Sequence, residues 1–131
     1  MSEPLFLLVE DVLDLQARLL AEHGGQEGVR DRGLLDSAVA TPQASFGGDF
    51  LHPDVFAMAA AYAFHISENQ PFLDGNKRAA MGAALVFLRM NGLRVGPLHC
   101  QSMYDAMIAI ADGQMHKDDL AVLFRWLSHP V

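Results

Sequence analysis

Apolar positions recur along this chain at the three- and four-residue spacing of helices. Val9, Val12, Leu13 and Leu19/Leu20, with Gln16 among them, mark one face of a first helix that stops at His23-Gly24-Gly25. A second helix fits Arg32–Ala40, with Leu34, Leu35, Ala38 and Val39 apolar, and stops at Thr41-Pro42. Gln43–His52 shows no helical stripe and holds Gly47-Gly48, which predicts an ordered loop or short hairpin. Pro53 suits the first turn of a third helix reaching about Asn69. A fourth starts near Asn76 and ends at Asn91-Gly92, after which Gly96-Pro97 interrupts again. Gln101–Ala111 and Asp118–Ser128 supply a fifth and a sixth. No strand-like alternation is sustained.

The third and fourth segments differ from the rest. Val55–Phe64 and Ala79–Leu88 are apolar on all sides, which places both in the middle of a bundle. The expected fold is therefore all-α: one domain over residues 1–131, about six helices, with the connection Gln70–Gly75 joining two central ones.

Composition narrows the function classes. With 51% hydrophobic residues the chain has material for a real core, which excludes disorder. A net charge of −7 argues against a general nucleic-acid binder, because phosphate backbones reward a basic face. The apolar runs are too short to span a bilayer. The start Met1-Ser2-Glu3-Pro4 lacks the basic opening of a secretory signal, so a cytoplasmic setting is expected. Cys100 is the single cysteine, too few for a disulfide or a structural zinc site. The charges are unevenly placed: Gly75–Tyr104 holds Lys77, Arg78, Arg89 and Arg94 and no acidic residue. A positive island in an acidic protein suggests a local anionic ligand.

That island begins at Gln70-Pro71-Phe72-Leu73-Asp74-Gly75-Asn76-Lys77-Arg78. A helix N-terminus presents unpaired N–H groups and the positive end of the dipole, which together attract phosphate. Gly75 lets backbone approach a ligand, and Asn76 adds a side-chain donor. Lys77 and Arg78 stand in the first helical turn, where cations disfavour the helix by about 0.3–1 kcal/mol. Asp74 offers the hard oxygen that Mg²⁺ takes alongside substrate phosphates. Asp-Gly is equally a common turn, and Asp74 can serve as a helix cap.

Pro71 to Arg78 closely resembles the core of the Fic/Doc (Fido) motif, His-x-Phe-x-(Asp/Glu)-(Gly/Ala)-Asn-(Gly/Lys)-Arg. Lys77, with Met81 where the Fic pattern has a second arginine, is similar to the death-on-curing (Doc) branch. Val9-Glu10-Asp11-Val12, Gly28-Val29-Arg30-Asp31-Arg32-Gly33-Leu34-Leu35 and Phe87-Leu88-Arg89-Met90-Asn91-Gly92 resemble its flanks, so the likeness covers nearly the whole chain. The resemblance implies a Fido-type bundle and a bound ATP-type nucleotide. Asp74 would bind Mg²⁺, Gly75 and Asn76 would cradle the phosphates, Lys77 and Arg78 would hold them, and Phe72 would be a buried anchor. The implied reaction is transfer of the terminal phosphoryl group to a threonine of translation elongation factor Tu. The implied partner is a cognate antitoxin, with no nucleic acid and no membrane.

One departure touches the chemistry. Gln70 stands where the family has its catalytic histidine, and an amide cannot accept the attacking hydroxyl's proton. Two further readings therefore stand beside the kinase: a Fido-fold nucleotide or partner binder without turnover, and a protein adenylyltransferase, which Lys77 and Met81 disfavour. His65 lies about 140° around a helix and about 7–8 Å along it from Gln70, which suits a packed or capping role. His52 can approach the site from the preceding loop, while His23, His99, His116 and His129 are scattered. Gln43–His52 occupies the place of the flap that aligns target chains in Fido proteins. Arg30-Asp31-Arg32 reads as local salt links or a phosphate contact. The self-inhibitory pattern (Ser/Thr)-x-x-x-Glu followed by Gly or Asn does not occur, so restraint is expected from another chain.

Overall fold

Carboxylates start most of the helices. Asp11 accepts the Leu8 N–H (2.8 Å) ahead of α1 (Val9–His23), and Asp31 accepts from Leu34 (3.0 Å) to cap α2 (Arg32–Ala40). Asp54 accepts from Ala57 (2.8 Å) to cap α3 (Val55–Asn69). Asp119 accepts from His116 (3.1 Å) before α6 (Lys117–Leu127). The remaining helices are α4 (Asn76–Met90) and α5 (Cys100–Ala111). This computed structural model describes residues 3–131, so the Met1-Ser2 start lies outside the described residues.

The helix bounds depart from the expected ones by a residue or two. Pro53 precedes the α3 cap instead of entering the first turn, because the Asp54 carboxylate takes the capping position. Gln43–His52 forms a hairpin, with β1 (Ser45–Phe46) antiparallel to β2 (Asp49–Phe50) across Gly47-Gly48. A second ribbon was not foreseen: β3 (Leu93–Val95) pairs antiparallel with β4 (Ser128–Pro130), so Ser128 leaves the sixth helix. Three residues are too few to show alternation, and the all-α class stands.

α3 is the central helix. Its residues Met58–Ala63 are buried without a break, with α4, α6 and α2 packed around it. α4 is less enclosed than its sequence suggested. Ala79, Ala80, Ala83, Ala84, Phe87 and Leu88 are buried, but Val86 and Met90 lie exposed on its outer face beside α1. Ahead of α1, the Tyr62 hydroxyl accepts the Leu7 N–H at 2.9 Å, and burial pushes its pKa up to about 12. Among the described residues no helix is long and apolar enough to cross a membrane.

Candidate functional site

The connection from α3 to α4 is braced at every residue. α3 ends on Gln70, which adopts the left-handed conformation (φ 45°, ψ 58°), alone among the described non-glycine residues in having positive φ. That conformation costs an L-residue about 1–2 kcal/mol, so something must hold it. Arg30 does. Its Nε donates to the Gln70 carbonyl (2.7 Å) and its Nη2 to that of Asn69 (2.8 Å), so a cation satisfies the negative end of α3. The backbone N–H groups of Arg30 and Asp31 both donate to the Pro71 carbonyl (2.7 and 3.1 Å). Among the described residues Arg30 joins no salt link, and its guanidinium serves the end of α3; within Arg30-Asp31-Arg32 the ion pair is Arg32–Asp36 (3.0 Å).

Further on, Leu73 donates to the Gly28 carbonyl (3.0 Å) and Phe72 bridges to Val29. Phe72 is the expected anchor, only 1% exposed. Asn76 spans its own loop: Oδ1 accepts the Phe72 N–H and Nδ2 donates to the Phe72 carbonyl, both at 3.0 Å. Its side chain therefore shapes the loop before it can serve any ligand.

Asp74 is fixed the same way. Oδ1 accepts the Gly75 N–H (2.8 Å), Oδ2 accepts the Gln26 N–H (3.1 Å), and its carbonyl lies 3.4 Å from Nε2 of the buried Gln16. A Cβ on Gly25 would stand 2.9 Å from Oδ2, so the turn after α1 must be glycine to close on this carboxylate. Gly75 then enters α4 at φ +74°, without a side-chain cap. Ala79 donates to the Gly75 carbonyl (2.9 Å), and the first-turn N–H groups before it have no partner among the described residues.

These groups open on a cavity of about 330 Å³, within the range of small-molecule sites. Gln70, Asp74, Gly75, Asn76, Lys77 and Arg78 all line it, so the expected loop residues converge on one space. Lys77 and Arg78 are exposed and form no ion pair among the described residues. Ser67 and Glu68 from α3 and Tyr104 from α5 also line it and were not foreseen. Tyr104 had no signal, because α5 reaches the site only through a fold-level turn. No group of three or more His, Cys, Asp or Glu able to hold a metal occurs among the described residues. The single fixed Asp74 carboxylate fits a Mg²⁺ that takes its other ligands from phosphates and water.

The histidines point elsewhere. Nε2 of His52 and of His65 lie 3.0 and 3.1 Å from Lys117 Nζ, and neither ring lines the cavity. Burial, reinforced by the Lys117 ammonium and by His52, pushes His65 down to about 4. The unfolded chain therefore binds a proton at His65 that the folded chain refuses, and stability falls as pH drops from about 6.5 to about 4. A His65→Gln chain is expected to lose melting temperature less steeply across that interval. Equal slopes for the two chains would remove His65 from the account.

The Fic/DOC family model matches residues 6–88. Over 72 residues the chain is 46% identical to "Toxin Doc" of Mycolicibacterium smegmatis, a stretch covering 55% of this chain and 55% of that toxin, about half of each. Over 118 residues it is 28% identical to "Protein kinase doc" of Escherichia phage P1, covering 90% and 91% of the two chains.

Proposed function

This chain belongs to the Fic/DOC family, in its death-on-curing branch, and from that premise we propose a Doc-like toxin that transfers the γ-phosphoryl group of ATP to a protein hydroxyl. One observation carries the reading: a helix N-terminus without a side-chain cap, entered through Asp74-Gly75 and carrying Lys77 and Arg78, which form no ion pair among the described residues, opens into a cavity of small-molecule size. The likeness to a protein kinase doc supports phosphoryl transfer over adenylylation, as do Lys77 and Met81.

The division of labour follows from charge. Phosphoryl transfer passes through a loose transition state and depends mainly on positioning and neutralisation. The first-turn N–H groups of α4 and the Lys77 ammonium would bind the polyphosphate, and Arg78 would neutralise charge on the oxygens of the transferred phosphoryl group. Asp74 would hold Mg²⁺, which when bound supplies further neutralisation between phosphates. The Gln70 amide can orient the attacking hydroxyl. The antiparallel hairpin β1–β2 would, by the same resemblance, act as the flap that aligns the target chain. By the same resemblance the target is elongation factor Tu in the cytoplasm, and a separate antitoxin restrains the activity.

Incubating the protein and elongation factor Tu with γ-labelled or α-labelled ATP is the test. Label from the γ position alone is expected. Label from the α position would make it an adenylyltransferase. No label with measurable ATP binding would favour the silent binder, the reading that Gln70 itself supports.

A further inference from the structure

We propose that Glu68 is the proton acceptor of this site, doing the work that Gln70 cannot; the inference rests on the phosphotransfer reading above. The attacking hydroxyl must give up its proton to a basic atom within the cavity. The lining holds two carboxylates, Asp74 and Glu68. Both Asp74 oxygens already accept backbone N–H groups, from Gly75 and Gln26, which fixes them for a cation. Glu68 accepts no hydrogen bond and joins no ion pair among the described residues, even though Lys77 and Arg78 line the same cavity. Its carboxylate is free for a substrate.

Imidazole is not available in its place. The two histidines nearest in sequence turn Nε2 to Lys117, and no histidine lines the cavity. The position of Glu68 is itself unusual. It lies in the last turn of α3, where an acidic side chain meets the negative end of the helix dipole and is disfavoured. Arg30 offsets that end by binding the carbonyls of the two following residues, Asn69 and Gln70. Glu68, on a helix end held by Arg30, thus lines the same cavity as Gln70. The other charged or titratable groups facing that space are Asp74, Lys77 and Arg78 from the loop and α4, and Tyr104 from α5.

The step balances simply. The hydroxyl oxygen bonds to the γ-phosphorus while the bond from that phosphorus to the bridging oxygen breaks, its electron pair leaving with ADP. The hydroxyl proton passes to a Glu68 carboxylate oxygen and then to solvent. Protein kinases place an aspartate in this role, because a loose transition state asks little basicity of the acceptor.

The test compares wild type, Glu68→Gln, Gln70→His and the double variant, reading γ-label transfer to elongation factor Tu and growth arrest on induced expression. Glu68→Gln is expected to lower transfer by about 100-fold or more, with KM for ATP little changed. In the Gln70→His background the same change should cost far less, because an imidazole then takes the proton. The acid limb of kcat/KM should also lie at higher pH in Gln70→His than in wild type, since imidazole holds its proton to higher pH than a carboxylate. Wild-type activity in Glu68→Gln overturns the inference, as does an inactive wild type beside an active Gln70→His chain; both leave the phosphotransfer reading intact. No transfer and no arrest from any of the four chains overturns that reading and the inference with it.

Discussion

Replacing Arg78 by alanine is expected to lower γ-phosphoryl transfer by about 10³-fold or more while leaving the ligand-free protein as stable as wild type or slightly more so. The size follows from charge. An arginine facing the transferred phosphoryl group is worth about 10³–10⁵ in rate in other phosphotransfer enzymes. The sign of the stability change follows from position. Arg78 stands in the first turn of α4, exposed and without an ion pair among the described residues, against the positive end of the dipole. Removing it relieves about 0.3–1 kcal/mol. Two measurements settle the matter: single-turnover transfer with γ-labelled ATP, and melting with and without ATP. Wild type at a hundredfold excess of ATP over Kd should gain about 2.7 kcal/mol, and the variant much less at the same concentration. A variant that melts lower and still transfers at the wild-type rate would show Arg78 to be a structural residue.

The conflict between the Arg78 charge and the helix dipole is legible in the sequence alone, because dipole and charge are properties of order along a helix. The same holds for α1 and α2, whose periodic stripes and stop residues gave their bounds, while the anchor role of Phe72 comes from the family resemblance and is matched by its burial. What stayed hidden depends on distant parts of the chain. Arg30 lies some forty residues from the carbonyls it clamps, and nothing local distinguishes it from Arg32, which pairs one turn along its own helix. Tyr104 and Glu68 enter the site through helix packing, and β3 meets β4 only because α5 and α6 return the chain. α4 looked buried because its apolar residues encircle it; its outer face is covered only in part, by α1. The left-handed turn at Gln70 was also unreadable, since glutamine has no preference for it and Arg30 supplies the reason.

These hidden contacts share a direction. The turn between α1 and α2 reaches the motif loop from one side, through Gln26, Gly28, Arg30 and Asp31, while Asn76 closes it from within. The loop is therefore held by the chain's own hydrogen bonds. That suits a reaction that depends on positioning, where misplacement of about 1 Å can cost about 100-fold. It also explains how glutamine at position 70 can leave the loop conformation intact: Arg30 binds the backbone there, not the side chain.

Phe72→Ala should be the most destabilising single change in the site. The ring is fully enclosed, and emptying such a position costs about 3–5 kcal/mol in lost burial and residual cavity. Against a total stability of about 5–15 kcal/mol, that removes a large share. For a domain of this size each kcal/mol is worth about 3–5 °C, so the melting midpoint should fall by about 10–20 °C. The backbone on either side argues against complete collapse of the loop. Asn76 still grips the Phe72 N–H and carbonyl, and Val29 still bridges to it, because neither contact uses the ring. The variant should therefore bind ATP below its midpoint and regain part of the lost stability from it. Asn76→Ala is the mirror case, keeping the ring and releasing the backbone, at about 1–3 kcal/mol. It should lose less stability than Phe72→Ala and more affinity for ATP. If Phe72→Ala melted within about 1 kcal/mol of wild type, the ring would not be the anchor its burial implies. If Asn76→Ala bound ATP as tightly as wild type, the phosphate cradle would not depend on the loop being closed.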